Sequence, residues 1–242
     1  LDGSDANTAT IAMGYAEAVA RTFGQNVLLD GQRLSLPLVA ESRVWYNETL
    51  ESRNMIVPGL VAVIMMTIAA MLTSLTIARE WERGTMEQLI STPVKGSELI
   101  IGKLIPYFII GMFDVVLAVL MGEFLFDVPL RGSVVLLFAM AAIFLVGALA
   151  VGLLVSIVTK SQLVASQLAM MITFMPSFLL SGFVYAIDNM PRPLQVITHV
   201  VPARYFIALI KGIYLKGVGL EILGLQAVLL IVFSTVKVGL AN

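Results

Sequence analysis

The stretch AREWERGTMEQLISTPVKGSELIIGK, residues 78–103, sets four Glu and four basic residues between two long apolar runs. Charges at this density can pair along a helix, cap helix ends or hold a charged partner. Glu80 and Arg83 stand three apart, a spacing that gives mutual support on a helix. Gly84 weakens the helix there. Thr85-Met86-Glu87-Gln88 fits a capping box, in which the Thr85 hydroxyl caps a new helix and Gln88 reaches back. Thr92, preceding Pro93, is disfavoured in the α region. The spacing therefore predicts a helix of about two turns over 86–91, set at an angle to what precedes it. Met86, Leu89 and Ile90 form a narrow apolar stripe on it, ringed by charges that include Glu82 and Glu87. Ser97 and Glu98 suit the start of a further helix running through Lys103. Two readings fit these residues: a projecting knob for a partner's cleft, or a solvated loop whose apolar residues rest on lipid headgroups.

Other reactive residue types are sparse. Asp114 falls in the middle of an apolar run, where an ionised carboxylate is costly and is usually turned to a bundle interior. It is a candidate intramembrane polar site: a proton or cation site, a substrate contact, or a carboxyl hydrogen-bonded to a neighbouring helix. Glu123 lies near the end of the same run and is assigned no role. The single histidine, His199, has no neighbouring carboxylate or cysteine and makes no zinc set. Cysteine is absent, which excludes disulfides, thiolate metal sites and a Cys nucleophile. No Ser-His-Asp set can be assembled at one membrane depth. No G-x-x-x-x-G-K-[ST] occurs, so the chain has no P-loop for ATP. The Met-rich runs VIMMT and LAMMITFM read as packing or lipid-facing residues, although methionine also suits a promiscuous apolar wall.

These residues must be positioned by helices in lipid. The chain has 242 residues, only 13% of them charged, a net charge of −1 and a mean hydropathy of +0.95. Soluble domains carry about 25% charged residues. The deficit, with uncharged runs of more than twenty residues, specifies an integral membrane protein. The near-zero charge offers nothing for nucleic acid. Five spans are predicted: 57–78, 104–126, 133–158, 161–187 and 219–236. A helix of this length crosses a hydrocarbon core of roughly 30 Å. The alternation required by a lipid-facing barrel is missing. Small residues recur every fourth position at Ala148, Gly152 and Ser156, and again at Ala165, Ala169, Thr173, Ser177 and Ser181. Such stripes allow backbones to approach within a bundle. Pro176 should kink or split the fourth span. Basic residues fall on both sides of the membrane: Arg79, Arg83, Lys95, Lys103 and Lys160 on one, Arg131, Arg192, Arg204, Lys211 and Lys216 on the other. The positive-inside rule therefore gives no orientation.

Residues 1–56 are polar and mixed, so they belong in water. Ile11, Tyr15, Val19 and Phe23 lie at helical spacing within 8–23. Residues 33–47 partly alternate and read as one or two strands, with Pro37 indicating an edge. A small α/β module is expected. The chain starts at Leu1 without a signal-peptide pattern and reads as a piece of a longer protein.

The charged stretch, with its Glu, Gly-Thr, Glu-x-Leu, Thr-Pro, Glu and Gly-Lys pattern, resembles the cytoplasmic loop of the ABC-transporter type-2 permeases. RVWYNETLESRNMIVPGL (43–60) is similar to the passage from an extracytoplasmic domain into the second membrane helix of the bacterial drug-export branch. MPSFLLSGFVYAIDNMPRPLQVITHVVPARY (175–205) resembles the fifth helix and outer re-entrant segment of that family. The resemblance covers nearly the whole chain, in order. It implies an all-α polytopic membrane protein with five visible spans, a sixth N-terminal one missing before Leu1, and the α/β module outside. It places 79–103 and Lys160 in the cytoplasm, and 1–56 and 188–218 outside. By the resemblance, Glu82, Gly84, Thr85, Met86, Glu87, Leu89, Ile90 and Pro93 form an ATPase-coupling helix and its flanks. The implied partners are an ABC ATP-binding subunit that holds ATP and Mg, a second permease chain, identical or sibling, and the bilayer of a bacterial inner membrane. A periplasmic adaptor is a further candidate. The implied function is export of a hydrophobic or amphipathic compound such as a drug, by a permease subunit with no catalytic, cofactor or metal site of its own. The rivals are a lipid or polysaccharide exporter of the same family, a secondary transporter or channel using Asp114, and a membrane-embedded enzyme.

Overall fold

The computed structural model describes residues 6–29, 45–47 and 51–241. The chain divides into two compact units, Leu1–Met55 and Ile56–Asn242.

In the first unit, helix α1 (Ala6–Leu29) forms over the segment whose periodicity predicts it. Its apolar line is uncovered: Ile11, Tyr15, Val19 and Phe23 are all exposed. The strands expected over 33–47 fall outside the described residues, apart from Trp45–Asn47, and no strand occurs among the described residues. Asn47 clamps the chain at the start of helix α2 (Ser52–Glu82). Its Nδ2 donates to Glu51 O at 3.0 Å, and its Oδ1 accepts from Asn54 Nδ2 at 2.9 Å.

The second unit is built of apolar helices. After α2 come the short α3 (Met86–Ile90), α4 (Gly96–Phe124), α5 (Val134–Thr159) and α6 (Gln162–Leu179). Two shorter helices, α7 (Arg192–Thr198) and α8 (Pro202–Lys211), precede α9 (Leu220–Ala241). Among the described residues five helices are long and apolar enough to cross a membrane: α2, α4, α5, α6 and α9. Each matches a span predicted from sequence, because an uninterrupted apolar run in lipid satisfies its backbone only as helix. The fourth is shorter than predicted. It stops at Leu179 rather than 187, three residues beyond Pro176, and Gly182 then turns the chain at φ +79°.

Helix α5 is the centre of the bundle and packs against α4, α6, α8 and α9. Its small-residue stripe meets α2. A Cβ on Gly152 would lie 2.1 Å from Ala70 O, so the two backbones touch where only glycine fits. The α6 stripe, from Ala165 to Ser181, is buried along its length, which makes it a packing seam within this chain. Helix α8 enters the same core, its Phe206 stacked on Phe144 of α5 with centroids 4.2 Å apart. The α7 and α8 segments meet at a bend of 85°.

Candidate functional site

Helix α2 has 31 residues, which at 1.5 Å each makes it about 46 Å long. It outruns a hydrocarbon core of roughly 30 Å, so its polar last turns project beyond the apolar bundle. Where α2 leaves that bundle it is gripped by α5. Thr73 Oγ1 donates to Leu149 O at 2.9 Å, and Ser156 Oγ accepts from the amides of Ile77 and Ala78 at 2.9 and 2.8 Å. Ser156 and Thr73 are fully buried. In an apolar interior such bonds are firm, since the alternative is an unpaired polar group.

The last two turns of α2 then bind two further helices. Glu80 receives Lys103 Nζ of α4 at 2.8 Å. Lys103 Nζ also reaches Thr76 O at 3.5 Å. Glu82 accepts Gln162 N at 2.7 Å and Gln162 Nε2 at the start of α6. Arg79 Nε donates to Gln162 Oε1 at 3.3 Å. Lys160, in the two-residue turn joining α5 to α6, sits 4.2 Å above the Trp81 ring. The end of α2 is thus held by α4, α5 and α6 together.

Beyond it the chain turns at Gly84, φ +70°, a conformation that favours glycine. Helix α3 follows over the predicted residues, one residue shorter, with no buried side chain. Met86 and Leu89 are half-buried, while Glu87, Ile90 and Pro93 are exposed. The capping box read from sequence does not form. Thr85 makes no side-chain cap on α3, and its hydroxyl instead donates to the Glu80 carboxylate and lies 3.3 Å from Glu80 O. Thr85 has helical dihedrals, φ −79° and ψ −13°, rather than the extended backbone of a capping residue, and Glu80 is within reach because Gly84 folds the chain back. At the far end Thr92 Oγ1 and Ser91 Oγ bond Leu89 O and Gln88 O at 2.6 and 2.7 Å, closing off the helix before Pro93. Helix α4 restarts at Gly96, with Lys95 N donating to Glu98 Oε2 at 3.2 Å. Glu82, Gly84, Thr85, Met86, Glu87, Leu89, Ile90 and Pro93 therefore form one projecting elbow. Asp114 lies elsewhere, on α4.

Asp114 does not turn into the bundle interior. Val115, Val119 and Gly122 form the buried face of α4, whereas Asp114 is exposed. It opens on a cavity of about 260 Å³ between α2 and α4, floored by Leu145 of α5. Tyr107, Gly111, Asp114 and Ala118 line it from one helical face of α4. His199 is exposed just past the end of α7, its Nδ1 2.9 Å from Gln195 O and 3.1 Å from Arg204 Nη1. The Ser156, Gln162 and Lys103 contacts escape sequence reasoning, because each partner lies 23 to 83 residues away.

Four apolar helices around a fifth, α5, with a short polar elbow extended from one end of the bundle, define a polytopic membrane protein. The chain belongs to the ABC-2 family transporter proteins, which it matches over residues 1–241. It is 40% identical over 240 residues to the “Probable multidrug ABC transporter permease YbhS” of Escherichia coli K12, an alignment covering 99% of this chain and 64% of that protein. The “Probable multidrug ABC transporter permease YbhR” of the same organism is 34% identical over 222 residues, covering 92% of this chain and 60% of the relative. “Inner membrane transport permease YhhJ” of Escherichia coli K12 is 26% identical over 229 residues, with 92% and 60% covered. The chain thus spans about three-fifths of the length of these curated relatives.

Proposed function

We propose that the chain is the membrane-spanning permease part of an ATP-driven exporter in a bacterial inner membrane, moving a hydrophobic or amphipathic compound such as a drug out of the cytoplasm. ATP and Mg belong to a separate ATP-binding subunit, and α3 with its flanks is the element that subunit moves. Family membership and the relatives' names as multidrug permeases support this reading. In this reading the elbow 79–103 and Lys160 are cytoplasmic, and 1–56 and the bent segment 188–218 are outside. A second permease chain, identical or sibling, completes the membrane unit, and a periplasmic adaptor is a further partner.

The observation that carries the mechanism is the unbroken run of α2 from the bundle to Glu82, tied there to α4 by Glu80–Lys103 and to α6 by Glu82–Gln162. A push on exposed α3 is delivered through the Gly84 elbow to a stiff helix end. From there it reaches three spans at once, as rigid-body rocking requires. The apolar Met86 and Leu89 with charged Glu87 supply a small mixed surface for a cleft in the ATPase. The test is ATP hydrolysis by the co-purified ATP-binding subunit in nanodiscs. Met86→Asp and Glu87→Lys are expected to abolish stimulation by the permease while leaving its thermal melt in place. Normal stimulation in both variants would overturn the lever.

A further inference from the structure

The α2–α4 cavity holds a carboxyl group with no basic side chain beside it. Within the described residues the Asp114 carboxylate takes part in no hydrogen bond or ion pair, and no Lys, Arg or His lines the cavity. Tyr107, two turns away on the same face, is the other polar side chain capable of donating there. Asp114 stands at the centre of the 104–126 run, which places it about 15 Å from either end. At that depth a carboxylate facing hydrocarbon is costly by several kcal/mol and persists only with a partner or a proton. The helix that bears it is also poorly covered: 11% of the apolar window of α4 is buried, against 56% for α5.

The chemistry of the cavity selects its occupant. An inorganic cation requires about six oxygen ligands, and the wall offers one carboxylate and one phenol. The spans 57–78, 104–126, 133–158 and 161–179 contain no Lys or Arg, so none of these in a second copy would bring a counter-charge to that depth. Lys237 of α9 stands close to that helix's end, over Phe233. The remaining lining is aliphatic, with Ile64 and Ile68 of α2 51% and 44% exposed, so the cavity is open on that side. By contrast, the cavity of about 510 Å³ between α5 and α9 has its hydroxyls already bonded inside their helices or to α5, Ser234 to Ile143 O and Thr235 to Ile231 O.

We propose that the α2–α4 cavity binds a lipophilic organic cation, its charge against Asp114 and its apolar body along Ile64, Ile68 and Leu72. The volume lies just below the usual range for ligand pockets of about 300–1,000 Å³, which suits a compact cation or the charged end of a larger one. That the cation is exported cargo rests on the exporter reading; that it binds does not.

The experiment is equilibrium binding of radiolabelled tetraphenylphosphonium to the full-length protein in nanodiscs. Saturable binding is expected, displaced by unlabelled cation and not by neutral triphenylphosphine oxide. Asp114→Asn should weaken binding about tenfold or more, the loss expected when one charge of a poorly hydrated ion pair is removed, while Asp114→Glu retains it. Because Asp114→Asn removes a charge from lipid, its thermal melt should not fall. Ile68→Trp fills the cavity with the carboxylate intact and should also weaken binding. Absence of saturable binding, unchanged affinity in Asp114→Asn, or equal competition by the neutral compound would each overturn the assignment. Stimulation of the ATPase is read separately. If it is normal while binding proves independent of charge, the cation site falls and the exporter stands; charge-dependent binding with no ATPase stimulation does the reverse.

Discussion

Lys103 Nζ donates to Glu80 Oε1 at 2.8 Å, joining the second turn of α4 to the last turn of α2 across the base of the elbow that carries α3. The Thr85 hydroxyl bonds the same carboxylate, so one side chain organises both limbs of the elbow. Both members of the ion pair are about one-fifth exposed, 21% for Lys103 and 24% for Glu80. That is too wet for the full strength of a buried pair. A double-mutant cycle with Glu80→Gln and Lys103→Met, followed by thermal unfolding in nanodiscs, should show a coupling energy on the order of 1 kcal/mol. The coupled ATPase should suffer more than the fold, since the pair aligns the lever. A coupling energy indistinguishable from zero, with full ATPase stimulation, would remove the pair from the mechanism.

Gly84 allows the elbow its left-handed turn. Gly84→Ala meets no steric neighbour, yet must hold φ near +70°. The expected cost is about 1 kcal/mol in stability, small for the whole bundle. The same change should redirect α3 and lower ATPase stimulation strongly. Thermal melts and ATPase assays on one preparation separate the two effects.

The contact of α2 with α5 is less forgiving. Ser156→Ala deletes the acceptor of two buried amides and should destabilise by about 1–3 kcal/mol. Gly152→Ala drives a methyl into Ala70 O and should cost a similar amount by forcing the helices apart. The two sites are one turn apart on α5, so their effects should not add. Unfolding followed by tryptophan fluorescence, together with the Ser156→Ala/Gly152→Ala double variant, checks both statements.

In the core, Phe144→Ala removes one of two stacked rings, each about 1% exposed. The loss should fall at about 3–5 kcal/mol, with a cavity left between α5 and α8. Phe144→Leu should recover more than half of it, measured on the same melting curves.

Much of this architecture is written locally. Apolar runs of sufficient length become spans because hydrocarbon leaves the backbone no other way to satisfy itself. The bounds of α3 follow from Gly84 and Pro93, residues whose own dihedrals end helices. The glycine and alanine stripes foretold close packing within the bundle. What the tertiary structure decided is which way residues face and whom they meet. In a helix apolar on every side, periodicity carries no signal for the inward face, so Asp114 could not be placed until α4 was packed with Val115 and Val119 buried. Thr85 looked like a cap because a sequence window sees only its neighbours, whereas the carboxylate it bonds is presented by the fold-back at Gly84. Glu82 found Gln162, 80 residues away, for the same reason. Hydropathy is a property of each residue and survives as a string, but hydrogen-bond partners are a property of distance, which exists only once the helices are packed.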